Sequence, residues 1–174
     1  MTASGMCTNQ RASSSSEAWR PSWLNKKYQI IQLIDYFLHK KSYSLVMEIN
    51  YNQMLDIAKE VSKNAYAPFS KFVVGACVQG GSGEYYSGCN VENSSFGLTI
   101  CAERSAICKA VSNGEKEITA VAIYSPNAED CLPCGACRQV IFEFATKEIS
   151  IITEKDGAPK VVTIENLLPY GFKL

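Results

Sequence analysis

Apolar residues recur along the chain from residue 48 onward in two alternating rhythms, one typical of helices and one typical of strands. Spacings of three and four residues among Met54, Ile57, Ala58 and Val61 predict an amphipathic helix over residues 50–64. Short runs rich in β-branched and aromatic residues, bounded by turn residues, predict strands. The predicted strands cover residues 71–78, 85–90, 118–124, 149–153 and 160–164, and further helices cover 101–112, 133–147 and 163–168.

Turn signals indicate how these elements are connected. The stretch QGGSGE, residues 79–84, lies between the first two predicted strands and indicates a hairpin. Asn113 and Gly114 give the second helix a stop, and Pro133 stands where a helix can begin without losing a hydrogen bond. Because strands and helices alternate along the chain, we expect a sheet packed between helices.

Residues 1–46 differ in composition from the rest of the chain. They carry six basic and two acidic residues, whereas the remainder carries 11 and 15, so the net charges are +4 and −4. The stretch ASSSSEA is typical of flexible chain, and apolar residues at helical spacing follow it in Ile30, Ile31, Leu33, Ile34, Phe37 and Leu38. We interpret 1–46 as a variable, partly disordered extension of a globular domain at 47–174; an organelle transit peptide is the less favoured alternative.

Composition narrows the classes of function. The chain has 174 residues, 47% of them hydrophobic, which suits one domain with a core. Because Lys+Arg and Asp+Glu both number 17, the chain lacks the excess of basic charge that nucleic-acid binding needs. No stretch reaches the roughly 18 apolar residues of a membrane span, and no apolar leader begins the chain. Eight cysteines therefore predict reduced thiols in the cytoplasm rather than the disulfides of a secreted protein.

Three cysteines and one glutamate have the spacing of a zinc site. Cys134 and Cys137 stand three residues apart at a predicted helix start, and Cys101 stands at another. Helix N-termini favour the thiolate form that a metal needs, and the only histidine, His39, lies in the extension. A zinc ion with three protein ligands keeps its fourth position for water, whose proton Glu103 can take.

The charge of such a site needs compensation. Three thiolates around Zn²⁺ carry a net charge of −1, which opposes the formation of hydroxide. Arg104 and Arg138 each adjoin one of these residues in the sequence. We therefore predict that both arginines offset the charge through hydrogen bonds to sulfur.

Spacing alone leaves other uses of the cysteines open. Cys131 extends the run to CLPCGAC and can complete a closed, non-catalytic site with four sulfur ligands. A Cys-x-x-Cys pair is also typical of redox modules. Cys77, Cys89 and Cys108 fall within predicted strands or a helix, so we expect them to pack in the core.

Four motifs resemble one enzyme family. CAERSAI and PCGACRQV follow the pattern of the zinc-dependent deaminases, a ligand and a glutamate followed by P-C-x-x-C. With KFVVGA and GCNVENSSFG, the chain over residues 48–174 resembles the small cytidine deaminases that act on free nucleosides. The resemblance implies a three-layer α/β/α fold with a mixed, about five-stranded sheet, and one Zn²⁺ per chain.

The resemblance also implies the reaction, which is hydrolytic deamination of cytidine and deoxycytidine to uridine and deoxyuridine in pyrimidine salvage. Cys101, Cys134 and Cys137 would hold the zinc, whose bound hydroxide would attack C4 while Glu103 shuttles protons. The implied substrate contacts are Phe72, Asn90, Glu92, Ala102, Phe96 and Phe172. Deamination of another aminopyrimidine nucleoside is the alternative within this class of enzyme.

The implied substrate contacts differ in origin. Asn90 and Glu92 would hydrogen-bond the 3′ side of the ribose, so that substrates lacking this hydroxyl are rejected. Phe72 would pack near the base or sugar, and the backbone of Ala102 would contact the pyrimidine. The family is commonly homotetrameric with sites shared between subunits. In such a tetramer, Phe96 and Phe172 would lie around the active sites of neighbouring subunits.

Overall fold

A single five-stranded sheet organises the computed structural model, which describes residues 49–174 apart from the side chains of Lys147 and Glu148. The strands are β1 (Gly75–Gly80), β2 (Tyr85–Cys89), β3 (Ile118–Tyr124), β4 (Ala145–Lys155) and β5 (Ala158–Thr163). The helices are α1 (Tyr51–Ser62), α2 (Ala102–Ser112), α3 (Gly135–Phe144) and α4 (Ile164–Leu167), and a short 3-10 turn spans Phe96–Leu98. The extension predicted at 1–46, with its amphipathic segment, lies outside the described residues.

The sheet is mixed, as the resemblance implies. Its spatial order is β2-β1-β3-β4-β5, and β1 pairs antiparallel with both β2 and β3. Strands β3 and β4 run parallel, whereas β4 and β5 form an antiparallel pair. Parallel neighbours need a crossover connection, and α3 supplies it. The predicted hairpin between the first two strands is confirmed, because β1 and β2 are consecutive and pair antiparallel.

Helices cover both faces of the sheet, which makes three layers. Alternate residues of the central strands point to opposite faces, because side chains of a strand alternate with a period of two. One face packs against α1 and holds Met54, Leu55, Ala58, Cys77, Ala120, Ala122 and Ile152. The other packs against α2, α3 and α4 and holds Val78, Ala106, Ile107, Val121, Ile141, Ile151 and Ile164. The predicted α/β fold with a sheet between helices is confirmed.

The first strand begins later than predicted. Residues 71–74 are not in β1, and Lys71 has a φ of 60°. The backbone N–H groups of Val73 and Val74 donate to side chains, namely Asn127 Oδ1 at 2.9 Å and Asn90 Oδ1 at 2.8 Å. Side-chain acceptors thus take the two N–H groups that a strand ladder would otherwise use, which periodicity cannot reveal.

Helix α3 is shorter than predicted at both ends. Cys134 has an extended backbone and caps the helix, so Pro133 lies before the cap rather than in the first turn. The predicted end near residue 147 is also wrong, because Ala145 already pairs with Ile118 in the sheet. Strand pairing therefore outcompetes the helical pattern beyond Phe144.

The predicted core cysteines have different environments. Cys77 is fully buried in β1, as expected, and Cys89 is half-buried. Cys108 is exposed, so its assignment to the core was wrong. The buried face of α2 is formed by Ala102, Glu103, Ala106, Ile107 and Ala110, and position 108 falls on the opposite side of that helix.

Within residues 49–174, no helix is long and apolar enough to cross a membrane.

Candidate active site

Two helix starts meet on the face of the sheet that α2 and α3 cover. Cys101 caps α2 and Cys134 caps α3, and neither side chain makes a capping hydrogen bond. Cys137 lies in the first turn of α3 and is buried. The three Sγ atoms lie within 4.8 Å of one another, and Cys101 and Cys134 are 3.9 Å apart. The fold therefore brings together three cysteines from two distant motifs.

The spacing of the sulfur atoms fits one zinc ion. Zn–S bonds of about 2.3 Å in a tetrahedron place sulfur atoms about 3.8 Å apart, close to the 3.9 Å separation of the Cys101 and Cys134 sulfurs. Among the described residues, Cys131 is not a member of this cluster. Burial raises the pKa of the Cys131 thiol to about 11. The arrangement thus supports a three-sulfur site with an open position rather than a closed four-sulfur site.

The thiols of Cys101 and Cys137 have pKa values that are shifted in opposite directions. Hydrogen bonds from Cys137, then from Arg104 and Cys134, lower the pKa of Cys101 to about 5, although partial burial acts in the opposite direction. The same hydrogen bond with Cys101, together with burial, raises the pKa of Cys137. The hydrogen bonds at Cys101 therefore favour its thiolate form, which is the form a zinc ligand must adopt.

Glu103 is a buried carboxylate beside this cluster. Its side chain lies in the first turn of α2 and the residue is only 4% exposed. Burial is the main cause that raises the pKa of Glu103, and the negative charge of Cys101 adds to it. A carboxyl group with a raised pKa can both accept and return a proton near neutral pH.

The two arginines play different roles in the structure. Arg104 Nη2 donates to Cys101 Sγ at 3.7 Å and to the carbonyl of Thr99 at 3.0 Å. Arg138 instead donates to two backbone carbonyls. The expectation that Arg138 bonds a sulfur is therefore corrected, because the hydrogen bonds of its side chain among the described residues go to these two carbonyls.

A pocket of about 220 Å³ opens beside the cluster. Several residues expected from the sequence line it, namely Phe72, Asn90, Cys101, Ala102, Glu103 and Cys134. Ser70, Val74, Thr99, Cys131 and Leu132 complete the wall. In the single chain, and among the described residues, Glu92, Phe96 and Phe172 do not line this pocket.

Asn90 and Glu92 are engaged with the segment that leads into β1. Asn90 Nδ2 donates to the carbonyl of Phe72 at 2.8 Å, and its Oδ1 accepts from Val74 N. The carboxylate of Glu92 accepts from the N–H of Phe69 at 2.8 Å and from the N–H and hydroxyl of Ser70. These bonds hold residues 69–74 in place, and they position Ser70 and Phe72 on the pocket wall.

Phe96 and Phe172 are large apolar side chains at the surface. They are 73% and 65% exposed. Among the described residues, Phe96 forms one aromatic pair, an edge-to-face contact with Phe69 whose ring centroids are 5.7 Å apart. Exposed aromatic side chains of this kind are typical of surfaces that bind another protein.

Comparison with known proteins identifies the family. Residues 48–153 match the family model described as the cytidine and deoxycytidylate deaminase zinc-binding region. The chain belongs to this deaminase family. A cytidine deaminase of Sporosarcina psychrophila is 39% identical over 125 residues, which cover 71% of this chain and 92% of the relative. The cytidine deaminase of Mycobacterium tuberculosis is 35% identical over 127 residues, which cover 73% and 92%.

Solved structures of cytidine deaminases share the fold. The crystal structure of the Burkholderia pseudomallei enzyme superposes with a TM-score of 0.67 at 35% identity, covering 71% of this chain and all of that one, 100%. The Mycobacterium tuberculosis enzyme superposes with a TM-score of 0.65 at 35% identity, covering 73% and 100%. The sequence-based resemblance to zinc-dependent cytidine deaminases is thereby confirmed.

The deaminase match contains the three clustered cysteines and every residue that lines the pocket, but Phe172 lies beyond it. Ser70 and Thr99 are polar pocket residues that the sequence analysis did not select. Ser70 stands within the stretch PFSKF and Thr99 two residues before Cys101, and neither belongs to a pattern with an assigned chemistry. Only their position on the wall of the pocket that Glu103 also lines marks them.

Proposed function

We propose that this protein is a zinc-dependent enzyme that converts cytidine and deoxycytidine to uridine and deoxyuridine with release of ammonia. The observation that carries this proposal is the buried carboxylate of Glu103 beside three clustered thiols, at the wall of a pocket. Membership of the deaminase family supports it.

The metal would be held by Cys101, Cys134 and Cys137, whose sulfur spacing suits a tetrahedral ion. A Zn²⁺ ion bound there supplies a Lewis acid that makes water a stronger acid, and therefore a nucleophile near neutral pH. Arg104 donates to Cys101 Sγ and so offsets part of the thiolate charge. With three protein ligands, the site would still be open to water.

Glu103 moves the protons of the reaction. Its carboxylate takes a proton from the attacking water while a carbon–oxygen bond forms at C4, and it delivers that proton to N3. It then carries the proton of the new C4 hydroxyl group to the 4-amino group, and the C4–N bond breaks as C4 becomes a carbonyl, which releases ammonia. Because the pKa of Glu103 is raised, its carboxyl group can both accept a proton from water and donate a proton to the substrate.

The pocket wall orients the nucleoside. Phe72 offers an aromatic face, and the backbone of Ala102 lies beside Glu103 at the start of α2. Asn90 has hydrogen-bonding capacity beyond its two bonds to residues 72 and 74, and we assign it to the sugar. Glu92 contributes to sugar recognition from behind Ser70, whose hydroxyl it holds.

The assembly and location belong to the same proposal. We infer a homotetramer in which Phe96 and Phe172 of one subunit reach the site of another, because both rings are exposed in the single chain. The cytoplasm is the compartment that suits free thiol ligands, because it keeps cysteines reduced.

Substitution of the proton carrier tests the function. Glu103→Gln should keep one zinc per chain and lose nearly all turnover of cytidine, since the amide keeps the shape of the side chain but cannot accept the proton. Zinc content measured by elemental analysis and ammonia release from cytidine and deoxycytidine provide the readouts. Parental turnover by this variant would rule out Glu103 as the base.

Two cysteine variants separate the three-sulfur site from its rival. Cys134→Ala should lose both metal and activity, whereas Cys131→Ser should keep the metal, because Cys131 lies outside the cluster. Loss of zinc from the Cys131→Ser variant would favour the closed four-sulfur module instead. A wild-type protein that holds zinc but releases no ammonia from either nucleoside would contradict the proposed substrates.

A further inference from the structure

Arg138 joins the metal-ligand loop to the C-terminal part of the chain. It follows Cys137 in the first turns of α3, where its Nε donates to the carbonyl of Pro133 at 2.8 Å. Its Nη1 donates to the carbonyl of Leu167, the last residue of α4, at 3.0 Å. One guanidinium therefore bridges the residue just before Cys134 and the end of a helix from the far end of the chain.

Both carbonyls need an outside donor. Pro133 is buried and precedes the cap of α3, so its carbonyl lies outside the helical hydrogen-bond ladder. The carbonyls at the end of a helix likewise lack partners within the helix. A planar guanidinium presents two N–H groups at a fixed angle and can serve both acceptors at once. A lysine ammonium has no such rigid fork.

Other contacts between α3 and the C-terminal residues do not reach the ligand loop. Gln139 Nε2 donates to the carbonyl of Phe172 at 2.9 Å, and Lys173 Nζ donates to the carbonyl of Ala145 at 3.2 Å. Gln139 is the next residue along α3 after Arg138, and its contact leaves the segment around Cys134 untouched. Of these three side chains in the described part of the chain, Arg138 alone holds that segment.

We propose that Arg138 is a positioning residue for the metal site, which fixes the loop of Cys134 by bridging the carbonyls of Pro133 and Leu167. The inference rests on the three-sulfur zinc site of the proposed function. It assigns to Arg138 a role through the backbone of the ligand loop, distinct from the bond that Arg104 makes to a sulfur. A loop held less firmly lets the Cys134 thiolate leave the metal more often.

The rate at which zinc passes to a colorimetric chelator tests this inference in the full-length holoenzyme. Arg138→Met keeps the unbranched stem of the side chain as far as the position of Nε and removes both donors, so zinc release should become about 10- to 100-fold faster, the range typical of residues that orient metal ligands. Arg138→Lys can restore one carbonyl contact at most and should also release zinc faster than the parent. Gln139→Ala should release zinc at the parental rate.

Each outcome bears on the inference. A parental release rate in Arg138→Met would overturn it, as would equally fast release from Gln139→Ala, which would point to a general loosening of α3. A parental rate in Arg138→Lys would overturn the bridge between two carbonyls. With excess zinc, the kcat of Arg138→Met should return to near the parental value, and a persistent loss would contradict a role limited to metal retention.

The release measurement is independent of the catalytic assignment. If the wild type binds one zinc per chain but does not deaminate cytidine, the proposed function fails while the comparison of release rates still stands. If the wild type binds no zinc, the metal site itself is refuted and the inference falls with it.

Discussion

Two side chains of the CNVEN segment stabilise the backbone that forms one wall of the pocket. Asn90 bonds the carbonyl of Phe72 and the N–H of Val74, and Glu92 bonds Phe69 and Ser70. The sequence predicted Asn90 and Glu92 as sugar contacts, and that assignment stays a proposal. Their bonds within the chain show how a change at either residue can alter the pocket without any contact to substrate.

Substitution of Ser70 tests the link between Glu92 and this wall. The bond from Ser70 is the main cause that lowers the pKa of Glu92 below its ordinary value of 4.5. A carboxylate with a lowered pKa in the folded state stabilises the protein above its ordinary pKa, and this contribution is lost as the pH falls through the folded-state value. Ser70→Ala should therefore be less stable than the parent at neutral pH, and the difference should shrink on acidification below about pH 4.5.

Urea unfolding at several pH values measures this difference. Lys71 also lowers the pKa of Glu92 and is present in both proteins, so it cancels in the comparison. Ser112→Ala is a matched control, because its hydroxyl bonds the neutral carbonyl of Cys108 at 2.7 Å. The stability difference of that control should not change with pH. A difference for Ser70→Ala that is likewise constant with pH would contradict the role of Glu92.

At the scale of elements, the site depends on how closely β2 and α2 approach each other. A Cβ atom at Gly88 would lie 2.4 Å from the backbone nitrogen of Ala106 and 2.9 Å from the carbonyl oxygen of Ala102. Both atoms belong to the backbone of α2, which begins directly after the proposed zinc ligand Cys101. The absence of a side chain at position 88 therefore sets the position of Cys101 and Glu103 above the sheet.

A single added methyl group tests this packing. Gly88→Ala should force α2 away from β2 and destabilise the protein by about 1–3 kcal/mol, the usual cost of overpacking. Zinc content and turnover should fall in the fraction that still folds, because the displaced helix is capped by the proposed ligand Cys101 and carries the proposed base Glu103. Gly97→Ala is the control, since a Cβ there meets nothing within 4 Å. A Gly88→Ala protein with parental stability and activity would refute the argument.

For the whole molecule, exposed apolar side chains favour assembly. Large side chains exposed in the single chain include Tyr66, Phe69, Phe96, Leu98, Tyr170 and Phe172. Exposure of these apolar side chains to water is unfavourable in free energy, and their burial between subunits would remove that cost. The proposed homotetramer gives these side chains a partner and gives Phe96 and Phe172 a place near a neighbouring site.

Native mass spectrometry tests the assembly. We expect a species of about four times the 19.1 kDa chain mass. Phe96→Ser should shift it toward smaller species and lower the activity, whereas Val161→Ser, at an exposed apolar position of β5, should not. A fully active monomer would contradict the shared site.

The domain boundary has its own test. A chain beginning at Met47 should assemble and deaminate like the full chain, because the proposed domain is 47–174. An inactive shortened chain would contradict this boundary.

Local patterns in the sequence predicted most of the elements and the chemical groups of the site. Helix spacing placed α1 and α2 to within a few residues, and β-branched runs placed β3 over its full length, 118–124. The three thiols and Glu103 were predicted from two short motifs, Cys-x-Glu and Cys-x-x-Cys, and from the resemblance of these motifs to one enzyme family. Such features depend on neighbours along the chain, which a sequence displays directly.

Contacts between distant residues decided the rest. Asn127 and Asn90 delay the start of β1, and the carbonyls of Pro133 and Leu167 engage Arg138. Ser70 and Thr99 enter the pocket although no motif marks them.

The sequence by itself determined which residues can bind zinc and carry a proton, since these are properties of side-chain chemistry at short spacing. The tertiary structure alone decided which backbone groups lack partners and which side chains reach them. That division has a physical reason, because hydrogen bonds and burial depend on distances in space, and distant parts of a chain come within those distances only when it folds.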